Sequence, residues 1–275
     1  MADQPRTAEP APRRLSPRKR QRVFRGVQYV ILVAAAIALA LYADWPSLAD
    51  NFARLDIAEQ MLPELFTVAL LNTIIYAVGG FAFSFVFGLI VALMRLSTVG
   101  PYRWLATLYI EIFRGVPALL VFLMIVFLPL ALPGFVVPFG TYGQAILGLG
   151  LVGTAYQAEI FRAGLQAVPR GQTEAARSLG MSASRAQFTV VVPQAIRIVI
   201  PPTTNQFVAL LKDSSLVLFL GVSGQYVDLT KFGNDMASTH ANATPILVAG
   251  LTYLIVTVPL GYLAGRLEKR KGAGR

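Results

Sequence analysis

Apolar runs of spanning length alternate with short polar segments from residue 27 almost to the C-terminus. Residues 27–43 carry no charge and match a short transmembrane helix, since a bilayer core takes about 17–25 residues. Further apolar runs cover 66–94, 105–130, 144–161, 194–222 and 245–264. Together they predict an all-α, polytopic integral membrane protein with about six transmembrane helices, because a helix satisfies its own backbone hydrogen bonds in lipid. Gly79, Gly80 and Gly88 lie inside the second run, where small residues let helices pack closely. Residues 131–143 carry the Pro/Gly punctuation of a loop. Residues 44–64, with five acids and one arginine, read as an amphipathic loop, and 223–244 as a polar segment. Self-similarity at a fixed period is not evident, so a solenoid is not supported.

The polar segment 162–192 is too patterned for a plain connector. Pro169 and Gly171 mark a turn, and 173–179 holds good helix formers. Gly180 then stands where a left-handed residue ends a helix. Ser182 or Ser184 suits the cap of a following helix that runs toward Pro193. Ala175 and Ala176 give the first helix a flat, small side, with Glu174 available for a polar contact. Three readings compete: a folded loop without a partner, a DNA-binding helix-turn-helix, and a docking element for another protein. A recognition helix should present several base-reading side chains. Here Arg185 and Gln187 are followed by apolar residues, which disfavours the second reading.

Composition agrees with the membrane assignment and removes other classes. Hydrophobic residues make up 55% and charged residues 14%, against about 25% charged in an average soluble domain. The net charge of +10 taken alone would suit a nucleic-acid binder, but the apolar bulk does not. The chain has no cysteine and a single histidine, His240, so thiolate sites, His-based metal sites and a Ser-His-Asp triad are set aside. Placing the N-terminus inside puts 19 of 24 cations on inner segments and two, Arg54 and Lys231, on outer ones. That is a positive-inside distribution with both termini cytoplasmic. Residues 1–26 are basic and Pro-rich and are expected to be a disordered cytoplasmic tail. A basic start, an apolar stretch and Ala38-Leu39-Ala40 also fit a cleaved signal peptide, against a retained helix at 27–43.

Charges within the spans need partners. Glu111/Arg114 and Glu159/Arg162 have i, i+3 spacing and are expected to neutralise each other on one helix face. Pro201-Pro202 should distort the fifth run and free backbone groups, which a protein-lined or watery cavity tolerates, or else only kink a packed helix. Asn205, Gln206, Lys212 and Asp213 follow and are candidates for a translocation path. Asn72 and Thr73 either line the same path or hydrogen-bond between helices.

Glu174-Ala175-Ala176-x-x-x-Gly180 followed by Val190-x-Val192-Pro193 resembles the cytoplasmic loop of permease subunits of bacterial ABC importers. Glu111-Ile-Phe-Arg-Gly-Val-Pro117, Ala155-Tyr-Gln-Ala-Glu-Ile-Phe-Arg162, Val168-Pro-Arg-Gly-Gln172 and Leu211-Lys-Asp-Ser-Ser-Leu216 resemble the polar amino-acid branch (His/Gln/Glu-type permeases). The family often has Thr where Val116 stands, and Ile and Leu where Val190 and Val192 stand. The resemblance covers 62–267. It implies a five-helix permease core plus the additional N-terminal helix, with a coupling loop at 162–193 and a basic tail at 268–275. By position, Glu174, Ala175, Ala176, Gly180 and Pro193 would take the ATPase-coupling role. The implied function is import of a polar amino acid or related solute across the bacterial cytoplasmic membrane by alternating access. The chain contains no G-x-x-x-x-G-K-[ST] loop, so it is expected not to be an enzyme and to bind no cofactor. ATP and Mg would belong to a separate ATP-binding subunit. A second permease subunit, an extracytoplasmic solute-binding protein and membrane lipid complete the expected partners. An ion-coupled secondary transporter or channel is the alternative.

Overall fold

The computed structural model describes residues 17–272 along the backbone and 18–266 with their side chains. The chain divides into two units at residues 50 and 51. The first contains helix α1 (Pro17–Tyr42), whose side chains from Arg18 to Tyr42 are exposed, as suits a lipid-facing helix along its apolar part. Residues 17–26 are helical rather than disordered: Pro17 occupies the helix start, where its missing N–H has no intrahelical partner to lose. The disorder expected for 1–16 lies outside the described residues. Helix α2 (Trp45–Phe52) begins with Asp44 accepting from the Ser47 backbone N–H at 3.1 Å.

The second unit is a bundle built on two long helices. Helix α3 (Leu55–Glu64) passes through a π-helical turn at Leu65–Ala69 into α4 (Leu70–Leu96). The expected loop at 44–64 is therefore α2 and α3. Ile57 and Met61 of α3 and Leu65 of the π-helical turn form one apolar face buried with Leu229 and Phe232. Helix α7 (Gly140–Gln166) packs along α4, and glycines set the spacing between them. A Cβ on Gly88 would come within 2.8 Å of Gln157 Cβ, and one on Gly80 within 2.5 Å of Leu149 Cβ. The helices thus approach more closely than larger residues would permit.

Between them, α5 (Gly100–Gly115) and α6 (Ala118–Ala131) bend by 105°. The run 105–130 is not one straight span. Val116 is extended ahead of Pro117, as a residue before proline prefers, and α6 starts after it. Helix α8 (Arg170–Ser178) and the short α9 (Ala183–Ala186) follow α7. A second π-helical turn, Gln187–Val191, leads into α10 (Val192–Asp213). This helix remains continuous through Pro201 and Pro202, which matches the packed-helix alternative and not the broken one. Pro201 is buried, so packing holds the helix around the lost backbone bonds. A 3-10 stretch, Ser214–Leu220, then α11 (Leu229–His240) and α12 (Thr244–Gly272) complete the unit. The polar segment 223–244 thus holds a helix, and the basic tail is helical as far as Gly272.

By length and apolarity, three helical stretches among the described residues suit a membrane span: Arg18–Tyr42, Trp45–Leu96 and Thr244–Arg266. The bent α5–α6 pair makes a fourth if taken as one. Helices α7 and α10 fall outside that count. The glycines of α7 and polar side chains such as Gln157 on α7 and Thr203 on α10 serve contacts with protein.

Candidate functional site

The segment between α7 and α10 folds by local rules. Gly180 has φ +85°, and its N–H donates to Arg177 O at 3.0 Å. The next N–H, of Met181, donates to Ala176 O at 3.2 Å. This pair of bonds is a Schellman closure, and it satisfies carbonyls that the end of α8 would otherwise leave unpaired. Ser182 Oγ accepts from the Arg185 N–H at 3.3 Å and caps α9. Helix α8 begins at Arg170, three residues before the expected start, because Pro169 closes the preceding turn through its carbonyl to Gln172 N at 3.0 Å. Pro193 occupies the first turn of α10.

The faces of α8 differ from the expectation. Ala175 and Glu174 are exposed, whereas Ala176 is buried. Adjacent residues on a helix point about 100° apart, so the two alanines cannot share one flat side. The outward surface instead carries two large apolar side chains, Leu179 at 83% exposed and Phe188 at 73%. Their isolation within a polar segment was the available signal.

At the same end of the bundle, Glu159 binds two arginines. Arg162 Nη2 lies 2.7 Å from Glu159 Oε2, as the i, i+3 spacing predicts. Arg95, at the end of α4, also pairs with Glu159. This contact joins α4 to α7 and was not legible from spacing, since 64 residues separate the partners. Arg162 continues to Gln166 Oε1 at 2.5 Å. Glu111 and Arg114 do not pair: both are exposed, and Arg114 lies over the Tyr156 ring at 5.5 Å from its centroid.

At the opposite end, Asn72 and Thr73 form a fastening rather than an open lining. Asn72 Nδ2 donates to Gln225 O at 2.7 Å and Val227 O at 2.9 Å, while its Oδ1 accepts from the Tyr142 hydroxyl at 2.9 Å. Thr73 Oγ1 donates to Ala69 O and accepts from Leu229 N at 3.0 Å. Tyr76 takes the intervening carbonyl, Tyr226 O, at 2.7 Å. The first two turns of α4 thereby hold the segment before α11, which includes a 3-10 turn at Gly224–Tyr226. Asp228, fully buried, accepts from the Thr230 and Lys231 N–H groups and from the Tyr253 hydroxyl. Burial pushes its carboxyl above the usual carboxylate range, and those hydrogen bonds offset only part of the effect.

Of the other path candidates, Asn205 and Lys212 are exposed on α10, while Gln206 and Asp213 are partly buried. They share this one helix. A polar contact not foreseen lies beside them: Gln157 Nε2 donates to Thr203 Oγ1 at 2.9 Å, linking α7 to α10 within the bundle.

The family model described as "Binding-protein-dependent transport system inner membrane component" matches residues 84–272. The chain is 37% identical over 201 residues to the "Probable glutamine ABC transporter permease protein" of Bacillus subtilis (strain 168), covering 72% of this chain and 89% of the relative. It is 36% identical over 219 residues to the "L-cystine transport system permease protein" of the same organism, covering 78% and 90% respectively. Among solved structures, the crystal structure of an amino acid ABC transporter with histidines aligns with a TM-score of 0.70 at 32% identity. That alignment covers 78% of this chain and 97% of the other.

Proposed function

The chain belongs to the family of binding-protein-dependent transport system inner membrane components and is a multi-pass permease subunit of an ABC transporter, and from that premise we propose that it imports a polar amino acid. Relatives named for glutamine and L-cystine support that solute class. ATP and Mg act on a separate ATP-binding subunit, which docks on the exposed side of α8 and α9. Glu174, Ala175 and the Gly180 turn form the docking surface, with Ala176 and Pro193 seating it on the bundle. Leu179 and Phe188 add apolar contact. The carrying observation is the Schellman-closed turn: it presents a rigid helix whose ends are tied to α7 and α10, so force on the element reaches both helices.

Alternating access then follows from rocking α7 and α10 around a path along α10, with Asn205, Gln206, Lys212 and Asp213 as its candidate lining. Asn72 and Thr73 leave that set, because their hydrogen-bonding groups are committed. A second permease subunit and an extracytoplasmic solute-binding protein complete the assembly. The charge distribution supports cytoplasmic termini, with a core at 62–267 and the helix at 27–43 outside it. The ion-coupled alternative has no ATP-binding partner and does not suit a member of this family.

The absence of cysteine allows a direct test. Ala175→Cys supplies a single exposed thiol for crosslinking in membranes, where the buried Ala176 would not. Recovery of an ATP-binding subunit as the crosslinked partner is expected. A variant that still transports but yields no such crosslink would overturn the docking assignment.

A further inference from the structure

A cavity of about 630 Å³ opens beneath α8, where the ends of α4 and α7 meet the second π-helical turn. Its size falls within the range of sites that hold small organic ligands, roughly 300–1,000 Å³. Its lining combines apolar side chains, among them Leu93, Leu96 and Leu165, with polar ones, among them Arg170, Thr173 and Gln187. The 27 residues of α4 span about 40 Å, more than the roughly 30 Å hydrocarbon core, and Arg95 in its last turn suits that end to the headgroup layer. Among the cations at this end, Arg95 and Arg162 share Glu159. Arg170 forms no ion pair among the described residues, although Glu174 stands one turn further along α8. An exposed guanidinium without an ion pair among the described residues thus lines a cavity that also presents leucine side chains.

We propose that this cavity seats an anionic phospholipid, with its phosphate-bearing headgroup on Arg170 and Thr173 and an acyl chain along Leu93, Leu96 and Leu165. A zwitterionic lipid brings its own cation to the phosphate and gains less from Arg170. The bound lipid bridges α8 to the ends of α4 and α7 and so sets the position of the docking helix. That consequence rests on the docking assignment above, whereas the binding itself does not.

Native mass spectrometry of the purified full chain, with phosphatidylglycerol or phosphatidylcholine added to the detergent, tests it. The wild type is expected to retain phosphatidylglycerol in preference. Arg170→Gln should weaken retention about fivefold, as one cation near an anionic headgroup contributes. Leu96→Trp, which fills the cavity and leaves the charge unchanged, should weaken it as well. Arg103→Gln, an exposed cation outside the cavity, should not. Equal retention by Arg170→Gln and wild type overturns the proposal, as does an equal loss in Arg103→Gln. Displacement of the lipid by inorganic phosphate also overturns it, making the occupant a soluble anion. If the lipid binds as expected but Ala175→Cys captures no ATP-binding subunit, the docking assignment fails and the lipid site stands.

Discussion

Replacing Gly180 isolates the contribution of one backbone angle to the proposed coupling. At φ +85° an L-residue is strained, yet an added Cβ would meet no atom within 4 Å. The penalty is therefore conformational and not one of space. A left-handed residue other than glycine costs about 1–2 kcal/mol, a factor of roughly 5–30 in the population of the turn. Asparagine tolerates that region best, and a β-branched residue worst. Gly180→Asn should therefore transport nearly as the wild type does, Gly180→Ala should lose several-fold, and Gly180→Val should lose at least tenfold, the upper part of that range. Because the strain acts on the Schellman bonds to Arg177 O and Ala176 O and not on the bundle, membrane insertion and the melting of the purified chain should change little. The assay is ATP-driven uptake of a radiolabelled amino acid into vesicles holding the assembled transporter. Wild-type uptake by Gly180→Val would refute the reasoning. So would losses that follow side-chain volume instead of tolerance for positive φ.

Four further outcomes can be checked. Gly88→Leu should lower thermal stability by about 1–3 kcal/mol through overpacking against Gln157 and the Ala158 backbone, measured by melting in detergent. Asn72→Ala should cost about 1–3 kcal/mol, because buried carbonyl and hydroxyl partners lose their bonds, and should raise protease sensitivity at 223–229. Glu159→Gln removes the charge shared by Arg95 and Arg162 and should increase hydrogen exchange at the ends of α4 and α7, whereas Glu111→Gln should leave both unchanged. Asp228 has a folded-state pKa above 3.8, so its charged form opposes folding, and its contribution to stability falls as pH rises from 3.8 through the raised value. Asp228→Asn should flatten that part of the stability–pH curve, and an unchanged slope in a pH series of melts would count against the burial argument.

What the sequence made legible was set by the range of each interaction. Helices in lipid must satisfy their backbone within one segment, so apolar runs marked most of them without knowledge of their neighbours. The Gly180 closure and the Ser182 cap are contacts within a few residues and were readable for the same reason. The bend at Val116–Pro117 had its signal too, but a continuous apolar run concealed it. Long-range partners left no such trace. Arg95 and Arg162 look alike as basic residues at the ends of spans, yet only the fold gives them one carboxylate. Asn72 reads identically as a path residue and as a fastening, because a polar side chain in an apolar run does not reveal what it faces. The same limit applies to Ala175 and Ala176, where one rotation along α8 separates an exposed surface from a buried one. The proposed docking surface is therefore defined by orientation more than by residue type. That is why a thiol at 175, and not at 176, is the informative probe.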